Sequence, residues 1–304
     1  MRAVAVQTFR AEPELVWLPK PEPGPGEVLV KIDYAALNPF DWQVADGLLD
    51  GRVPHVFPLV LGLDFAGRVD VVGPGENRFV VGDAVYGQAG RPPVGTGTYA
   101  EYVTMPQDAA IAGVPDGLAL RAAAALPTAG MAALEILRTA PLDAGATMLI
   151  VGAAGGVGSA LTQLAAARDI RVVAAVRGDE RERMRALGAA VSVDTTAQPV
   201  REACIGGVDA VVDLVSADAE SFGAHAGLVR SGGTALSTRG AAAPGQGVNF
   251  RLTPSGALLD ALAAAALAGD VHVPVEAEYP LEKAPEALAR NRAVGARGKT
   301  LFVP

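Results

Sequence analysis

The segment Val151-Gly152-Ala153-Ala154-Gly155-Gly156-Val157-Gly158-Ser159 sets residues without bulky side chains between an apolar run, Met148–Val151, and an amphipathic stretch that begins near 156. Its spacing, Ala153-x-Gly155-x-x-Gly158, is a variant of the dinucleotide fingerprint with Ala in the first place. A turn of this composition lets backbone amides approach a pyrophosphate, and the N-terminus of the following helix adds a favourable partial positive charge. A tight strand-to-helix turn with no ligand would carry the same glycines. The order of strand, turn, helix and second strand favours nucleotide binding, with Ala153, Ala154, Gly155, Gly156, Val157 and Gly158 as the candidate contacts. The turn holds no lysine, which speaks against a nucleoside-triphosphate loop.

The second strand of the motif, Arg171–Val176, should end beside an adenosine ribose, where an Asp or Glu would mark a preference for NAD. Arg177 stands there instead, and Arg181 follows one helical turn later. A guanidinium fork suits a 2′-phosphate, so NADPH is expected over NADH. Asp179 and Glu182 allow another reading, in which Asp179 caps the next helix, Glu182 completes a capping box and Arg177 is a solvated loop residue.

These residues need a scaffold, and the pattern around them supplies one. From about 118 the chain alternates: helices at 118–126 and 129–139, strand 148–151, helix 156–168, strand 170–176, helix 179–187, strands 190–193 and 208–213, helix 218–228 and strand 233–238. Strands separated by helices imply right-handed crossovers and a parallel sheet. A further helix is expected at 255–268 behind a Ser255 cap. The first 110 residues, rich in Pro and Gly with short β-branched runs such as Val28–Ile32 and Gly67–Val72, read instead as an all-β lobe. The tail, with strand 271–279, helix 282–290 and strand 299–303, resembles that lobe. The expected division is therefore 1–122 with 270–304, and 123–269 as an inserted nucleotide-binding domain.

Composition narrows the function classes. At 304 residues, two lobes are a better prior than one. Half the residues are hydrophobic and 19% charged, which excludes a disordered, highly charged tail protein. The Ala-rich stretches near 122–137 and 257–268 are interrupted by Pro127, Glu135, Arg138, Asp260 or Gly269, so no membrane span is expected. The opening Met1–Gln7 runs straight into strand-like sequence without a leader pattern, which predicts a cytoplasmic location. A single cysteine, Cys204, rules out a disulfide framework or a cysteine-rich zinc cage. The net charge of −8 argues against nucleic acid as the main partner.

Several further segments resemble, in order and spacing, the quinone-oxidoreductase branch of the zinc-independent medium-chain dehydrogenases/reductases. They are Ala36–Trp42, Pro58–Gly67, Val72–Gly75, Val81–Gly87, Gly97–Tyr102, Leu126–Gly130, the glycine turn, Leu187–Ala189, Arg230–Gly233 and Tyr279–Ala284. The resemblance covers nearly the whole chain. It implies an α/β protein with a GroES-like β domain and a doubly wound Rossmann domain, with substrate bound between the lobes. Zinc-dependent relatives carry a Cys near the Asn38 position and a His near the Leu63 position. Neither is present, and His55, His225 and His272 lack metal-ligand spacing, so no catalytic or structural zinc is expected.

Without a Lewis acid, simple alcohol oxidation loses its main means of activation. Hydride transfer from NADPH to a quinone, or to the β-carbon of an enone, needs less. The resemblance implies this chemistry, with a small-molecule quinone or enone as substrate. It places Asn38 in the substrate and nicotinamide cleft, where its amide can hold developing enolate charge. It places Thr128 beside the nicotinamide carboxamide. Both residues have plainer readings, Asn38 and Asp41 as shapers of an Asn-Pro turn and Thr128 as a helix cap. Asp41 would oppose a developing oxyanion unless protonated. Val215 and Ser237, with Ser216, lie at C-terminal strand ends where such sheets bind ligands. Phe250 walls the pocket or fills the core. Asp64 is expected to be buried and structural, Tyr86, Tyr99 and Tyr102 to be packing residues, His55 to lie in a loop and Cys204 to be an apolar filler. The family suggests a homodimer, with 228–252 as one surface for it. A non-enzymatic NADPH-binding module and a zinc alcohol dehydrogenase are the competing functions, the second disfavoured.

Overall fold

The computed structural model describes residues 1–75, 77–294 and 297–304. The chain forms two compact units, Met1–Thr128 with Pro254–Leu267 and Val273–Pro304, and Ala129–Thr253 with Ala268–His272. The expected division at 122/123 would cut the helix Leu120–Ala125. The helix Gly256–Ala268, expected among the nucleotide-binding residues, groups through residue 267 with the β-rich unit. Tyr86 ties it there by donating to the Leu259 carbonyl at 2.5 Å.

The β-rich unit is built on two sheets. A seven-stranded sheet runs Val275–Pro280, Lys299–Val303, Glu27–Ala36, Asp64–Val72, Ala84–Gln88, Ile111–Gly113, with Tyr102–Pro106 paired to Glu27–Ala36. A four-stranded sheet runs Glu14–Trp17, Arg2–Val6, His55–Val60, Val94–Thr96. His55 therefore lies in a strand, its ring edge-on to Phe9, rather than in a loop. Val4, Val28, Val30, Ile32, Phe65 and Phe302 belong to the shared core, so the apolar side of each strand faces inward. The strand Lys299–Val303 pairs antiparallel with Glu27–Ala36, Leu301 opposite Ala36, which brings the tail strand into this sheet.

The nucleotide-binding unit is a parallel six-stranded sheet in the order Val191–Asp194, Arg171–Val176, Thr147–Val151, Val208–Asp213, Val229–Ser237, Val248–Asn249. Counted along the chain this is 3-2-1-4-5-6, the doubly wound dinucleotide arrangement, with its switch point between Thr147–Val151 and Val208–Asp213. Met148–Val151 and Val172–Val176 are buried without alternation, as strands covered on both faces must be.

Three local differences have physical reasons. The Asn-Pro segment forms a helix, Pro39–Ala45, in which Pro39 takes the first turn and the Asp41 carboxylate accepts from the Asn38 amide at 2.8 Å. The helix expected at 179–187 is Arg181–Ala186; Asp179 accepts from the Arg181 amide at 3.2 Å and Glu180 takes the cap position, so the Asp179/Glu182 box does not form. The tail helix divides into a short turn, Leu281–Lys283, and a helix, Ala284–Val294. Ser255 does cap its helix, accepting from the Leu258 amide at 3.3 Å. No helix among the described residues is long and apolar enough to cross a membrane.

Candidate functional site

In the β-rich unit, Asn38 and Thr128 meet through Asp64, at the start of the strand Asp64–Val72. Asp64 is fully buried. One of its oxygens, Oδ1, accepts from the Thr128 amide at 3.1 Å and the Thr128 hydroxyl at 2.5 Å. The other, Oδ2, accepts from Asn38 Nδ2 at 2.9 Å and from Lys299 Nζ at 3.0 Å. Lys299, 4% exposed, spends its remaining donors on Asn38 Oδ1 at 2.6 Å and the Leu37 carbonyl at 3.2 Å. Gln88 Nε2 donates to the Thr128 hydroxyl at 2.6 Å. The second N–H of Asn38 reaches the Ala36 carbonyl at a long 3.4 Å. A buried ion pair is tolerable only when its other lone pairs and protons are satisfied, and here they are.

Asp41 borders this network. Its Oδ2 accepts from the Asn38 amide and from the Tyr99 hydroxyl at 2.6 Å, while its Oδ1 has no partner. Burial pushes the carboxyl up to about 7, against the lowering bonds from Tyr99 and Asn38; Asp64 adds to the rise and Lys299 opposes it. Burial likewise raises the Tyr99 phenol well above its ordinary value, the carboxyl of Asp41 reinforcing the shift. Asp41 also lies on the wall of a chamber of about 80 Å³, lined otherwise by apolar residues such as Phe40, Leu49, Leu59, Leu61, Leu63 and Val94. A larger surface depression of the same unit, about 680 Å³, lies beside Glu27, Arg78, Arg91 and Gln107 and shares no residue with the network.

In the nucleotide-binding unit the glycine turn is shaped for close approach. Gly152 has φ +88°, and a Cβ there would lie 2.6 Å from Val215 Cγ1. A Cβ on Gly158 would lie 2.5 Å from the Gly152 carbonyl oxygen and 2.6 Å from Ala153 Cα, so only glycine fits without moving backbone. Gly155 caps the helix Gly156–Ala166, and both Gly155 and Gly156 are exposed, leaving the positive end of the helix open to an anion. Ala153 is buried, Ala154 and Val157 half-buried. These features fit a dinucleotide pyrophosphate.

Arg177 and Arg181 are exposed, and no carboxylate among the described residues pairs with either. The turn behind Arg177 is fixed by Asp194, whose Oδ1 accepts from the Gly178 amide at 2.9 Å and from the Thr196 hydroxyl at 2.7 Å; the Thr196 bonds hold its carboxyl below the usual range. Sequence reasoning missed Arg183, which donates to the Ala154 carbonyl at 3.1 Å and to the Ser159 hydroxyl at 3.3 Å and so brings a guanidinium against the turn. The signal available was its place in the first turn of the helix that begins at Arg181.

Val215 is 53% exposed at the end of Val208–Asp213, while Ser216 is buried. Asp213 Oδ1 accepts from both their amides, at 2.9 and 2.8 Å, and the His225 ring lies 2.8 Å from Asp213 Oδ2. Burial alone would raise the Asp213 carboxyl, but the bonds from His225, Ser216 and Val215 outweigh it and hold it low. Ser237 is buried, its hydroxyl accepting from the Ala241 amide at 3.0 Å, and its carbonyl accepts from the half-buried Phe250 at 2.8 Å. Cys204 is buried in the apolar core, and that burial raises its thiol. Among the described residues, no three His, Cys, Asp or Glu side chains are grouped as ligands for a metal ion.

Residues 24–116 match the family model described as alcohol dehydrogenase GroES-like domain, and residues 187–301 match that described as zinc-binding dehydrogenase. The chain is similar to the 2-methylene-furan-3-one reductase of Solanum lycopersicum, 32% identical over 286 residues, covering 91% of this chain and 72% of that protein. It is 34% identical over 182 residues to a chloroplast envelope quinone oxidoreductase homolog of Arabidopsis thaliana, covering 58% of this chain and 54% of that protein. It thus spans about half of that relative's length. Among solved structures, a quinone oxidoreductase from Coxiella burnetii superposes with a TM-score of 0.88 at 27% identity, covering 100% of this chain and 99% of that one. A mycobacterial protein complexed with NADPH superposes with a TM-score of 0.84 at 29% identity, covering 100% of both chains.

Proposed function

The chain belongs to the medium-chain dehydrogenases/reductases, in the family of the quinone oxidoreductases, and on that premise we propose that it is an NADPH-dependent reductase of quinones and enones. The observation that carries the reading is the glycine turn, where Gly158 lies so close to Gly152 and Ala153 that no side chain fits, at the switch point of a 3-2-1-4-5-6 sheet. Relatives named for a quinone and for a methylene-furanone support the acceptor class. When bound, NADPH supplies the hydride.

The residues of this chain take the remaining tasks. The exposed amides at Gly155–Gly156 receive the pyrophosphate. Arg177 and Arg181 hold the 2′-phosphate, for which charge-assisted bonds from an unpaired guanidinium are suited. Val215, Ser237 and Phe250 border the coenzyme at the strand ends. Asn38 offers the acceptor oxygen the N–H that now reaches Ala36 only at 3.4 Å, with its amide orientation locked by Lys299. Thr128, held by its bonds to Asp64, is assigned to the nicotinamide carboxamide. In this reading no zinc takes part, since the oxygens of Leu37, Asn38 and Asp64 already surround the Lys299 ammonium. A homodimer would use the exposed edge strand Val248–Asn249.

The test is loss of NADPH absorbance, with NADH alongside, against quinones, enones and simple aldehydes, with and without chelator. Chelator-insensitive turnover of quinones or enones is the expected result. Turnover of alcohols or aldehydes that chelator abolishes would overturn the reading in favour of a zinc dehydrogenase. Tight NADPH binding with no turnover of any acceptor would overturn it in favour of a coenzyme-binding module.

A further inference from the structure

One buried carboxylate of the nucleotide-binding unit anchors two turns at once. Asp213 is the last residue of the strand Val208–Asp213, level with Val151 on one side and Ser237 on the other, so it stands at the switch point of the sheet. It is fully buried. Its Oδ1 accepts from the Val215 amide at 2.9 Å and the Ser216 amide at 2.8 Å, and its carbonyl accepts from the Thr238 amide at 3.0 Å. The turn that follows this strand and the turn that follows Val229–Ser237 therefore hang on one residue.

The first of these turns carries Val215. The Leu214 amide donates to the Val151 carbonyl at 3.0 Å, and Val215 lies so close to Gly152 that a Cβ there would be 2.6 Å from Val215 Cγ1. Val215 is nonetheless 53% exposed, an apolar surface beside the glycine turn. Its placement depends on which way the Asp213 carboxylate faces. The second oxygen, Oδ2, lies 2.8 Å from His225 Nδ1, in the last turn of the helix Ala219–Ala226. Burial raises the Asp213 carboxyl, but the bonds from His225, Ser216 and Val215 hold it low. An ionised carboxylate only accepts, so His225 Nδ1 carries the proton in either charge state of the ring. With Oδ2 tied to the helix the carboxylate cannot rotate, and Oδ1 stays aimed at the two amides.

We infer that His225 is a positioning residue of the coenzyme site: acting through Asp213, it fixes the Leu214–Ser216 turn and so sets Val215 as the apolar wall against which the coenzyme packs beside Gly152. The inference rests on the reductase reading above and deepens it, because His225 acts from a helix and not from a strand end. A histidine that only held its helix on the sheet would cost stability when removed and leave affinity alone.

The test is NADPH and NADH affinity by fluorescence titration of the full chain, with urea midpoints alongside. His225→Leu removes the donor and should weaken both coenzymes by about 10-fold, since a bond to a charged group is lost and Val215 is freed. His225→Asn, whose amide N–H can stand in for the Nδ1–H, should stay within about 3-fold of wild type. In a Val215→Ala background the effect of His225→Leu should shrink below about 2-fold, because the wall that His225 positions has been cut back. Should His225→Leu not fold because the Asp213 charge is stranded, Asp213→Asn combined with His225→Leu removes that charge and leaves the side chain untethered; read against Asp213→Asn alone, it should show the same loss. A folded variant without the donor that keeps its reference affinity, a His225→Asn as weak as His225→Leu, or a loss undiminished by Val215→Ala overturns the inference and leaves the reductase reading standing. A wild type that binds neither NADPH nor NADH overturns that reading, and the role of His225 with it.

Discussion

Replacing Lys299 with Met removes three bonds at once, to Leu37, Asn38 and Asp64, and leaves the Asp64 carboxylate at 0% exposure facing only Thr128 and Asn38. Breaking a buried ion pair from one side costs about 3–5 kcal/mol, because the surviving charge keeps its desolvation penalty and loses its compensation. Asp64→Asn in the Lys299→Met background removes the stranded charge while keeping an oxygen for Thr128 and should recover part of the loss. A double-mutant cycle should therefore show a coupling of about 1–3 kcal/mol. Urea unfolding followed by tryptophan fluorescence is the assay, since both tryptophans, Trp17 and Trp42, lie in the β-rich unit. A Lys299→Met variant within about 0.5 kcal/mol of wild type, or a double mutant equal to the sum of the singles, would refute the reasoning.

Gly158→Ala places a Cβ 2.5 Å from the Gly152 oxygen, so NADPH affinity should fall at least ~10-fold by titration while the tryptophan transition holds; unchanged affinity would count against the turn as the pyrophosphate site. For Asp41, ionisation raised from 3.8 to about 7 on folding means that the native state holds the extra proton between those values. Stability should therefore fall as pH rises from about 4 to 7, by on the order of 4 kcal/mol in all, and Asp41→Asn should flatten that slope in urea titrations at several pH values. Equal slopes in the two proteins would refute it. Arg177→Ala should weaken NADPH by about 10-fold and NADH little, by fluorescence titration, because one charge-assisted contact is lost; equal losses would remove Arg177 from the 2′-phosphate site.

The doubly wound half was legible because most of its strands are short apolar runs separated by helices, and because a turn such as Gly152–Gly158 is read from local spacing. The polar centre of the β lobe was not. Lys299 lies 235 positions from Asp64 and sits in a strand whose neighbours, Leu301 and Phe302, give it the look of a surface residue at an element's start. The Asn-Pro segment read as a turn because a helix of seven residues leaves little periodicity, and its capping carboxylate, Asp41, is the kind of residue that also makes turns. Arg183 was missed because the true helix start at Arg181 changes which arginine faces back toward Ala154.

The position of the strand Lys299–Val303, between Val275–Pro280 and Glu27–Ala36, bears on how the chain is made. A ribosome releases Asn38 and Asp64 early, and the whole sheet from Thr147 to Asn249 before Lys299 appears. The nucleotide-binding unit therefore has its sheet strands complete while the β lobe still lacks both a strand and the cation that neutralises Asp64. During synthesis the Asp64 carboxyl must remain hydrated or protonated, and closure of the lobe around it waits for its latest strand to dock. The order of translation thus delays burial of the Asn38–Thr128 network until the sheet that supports the coenzyme has been made.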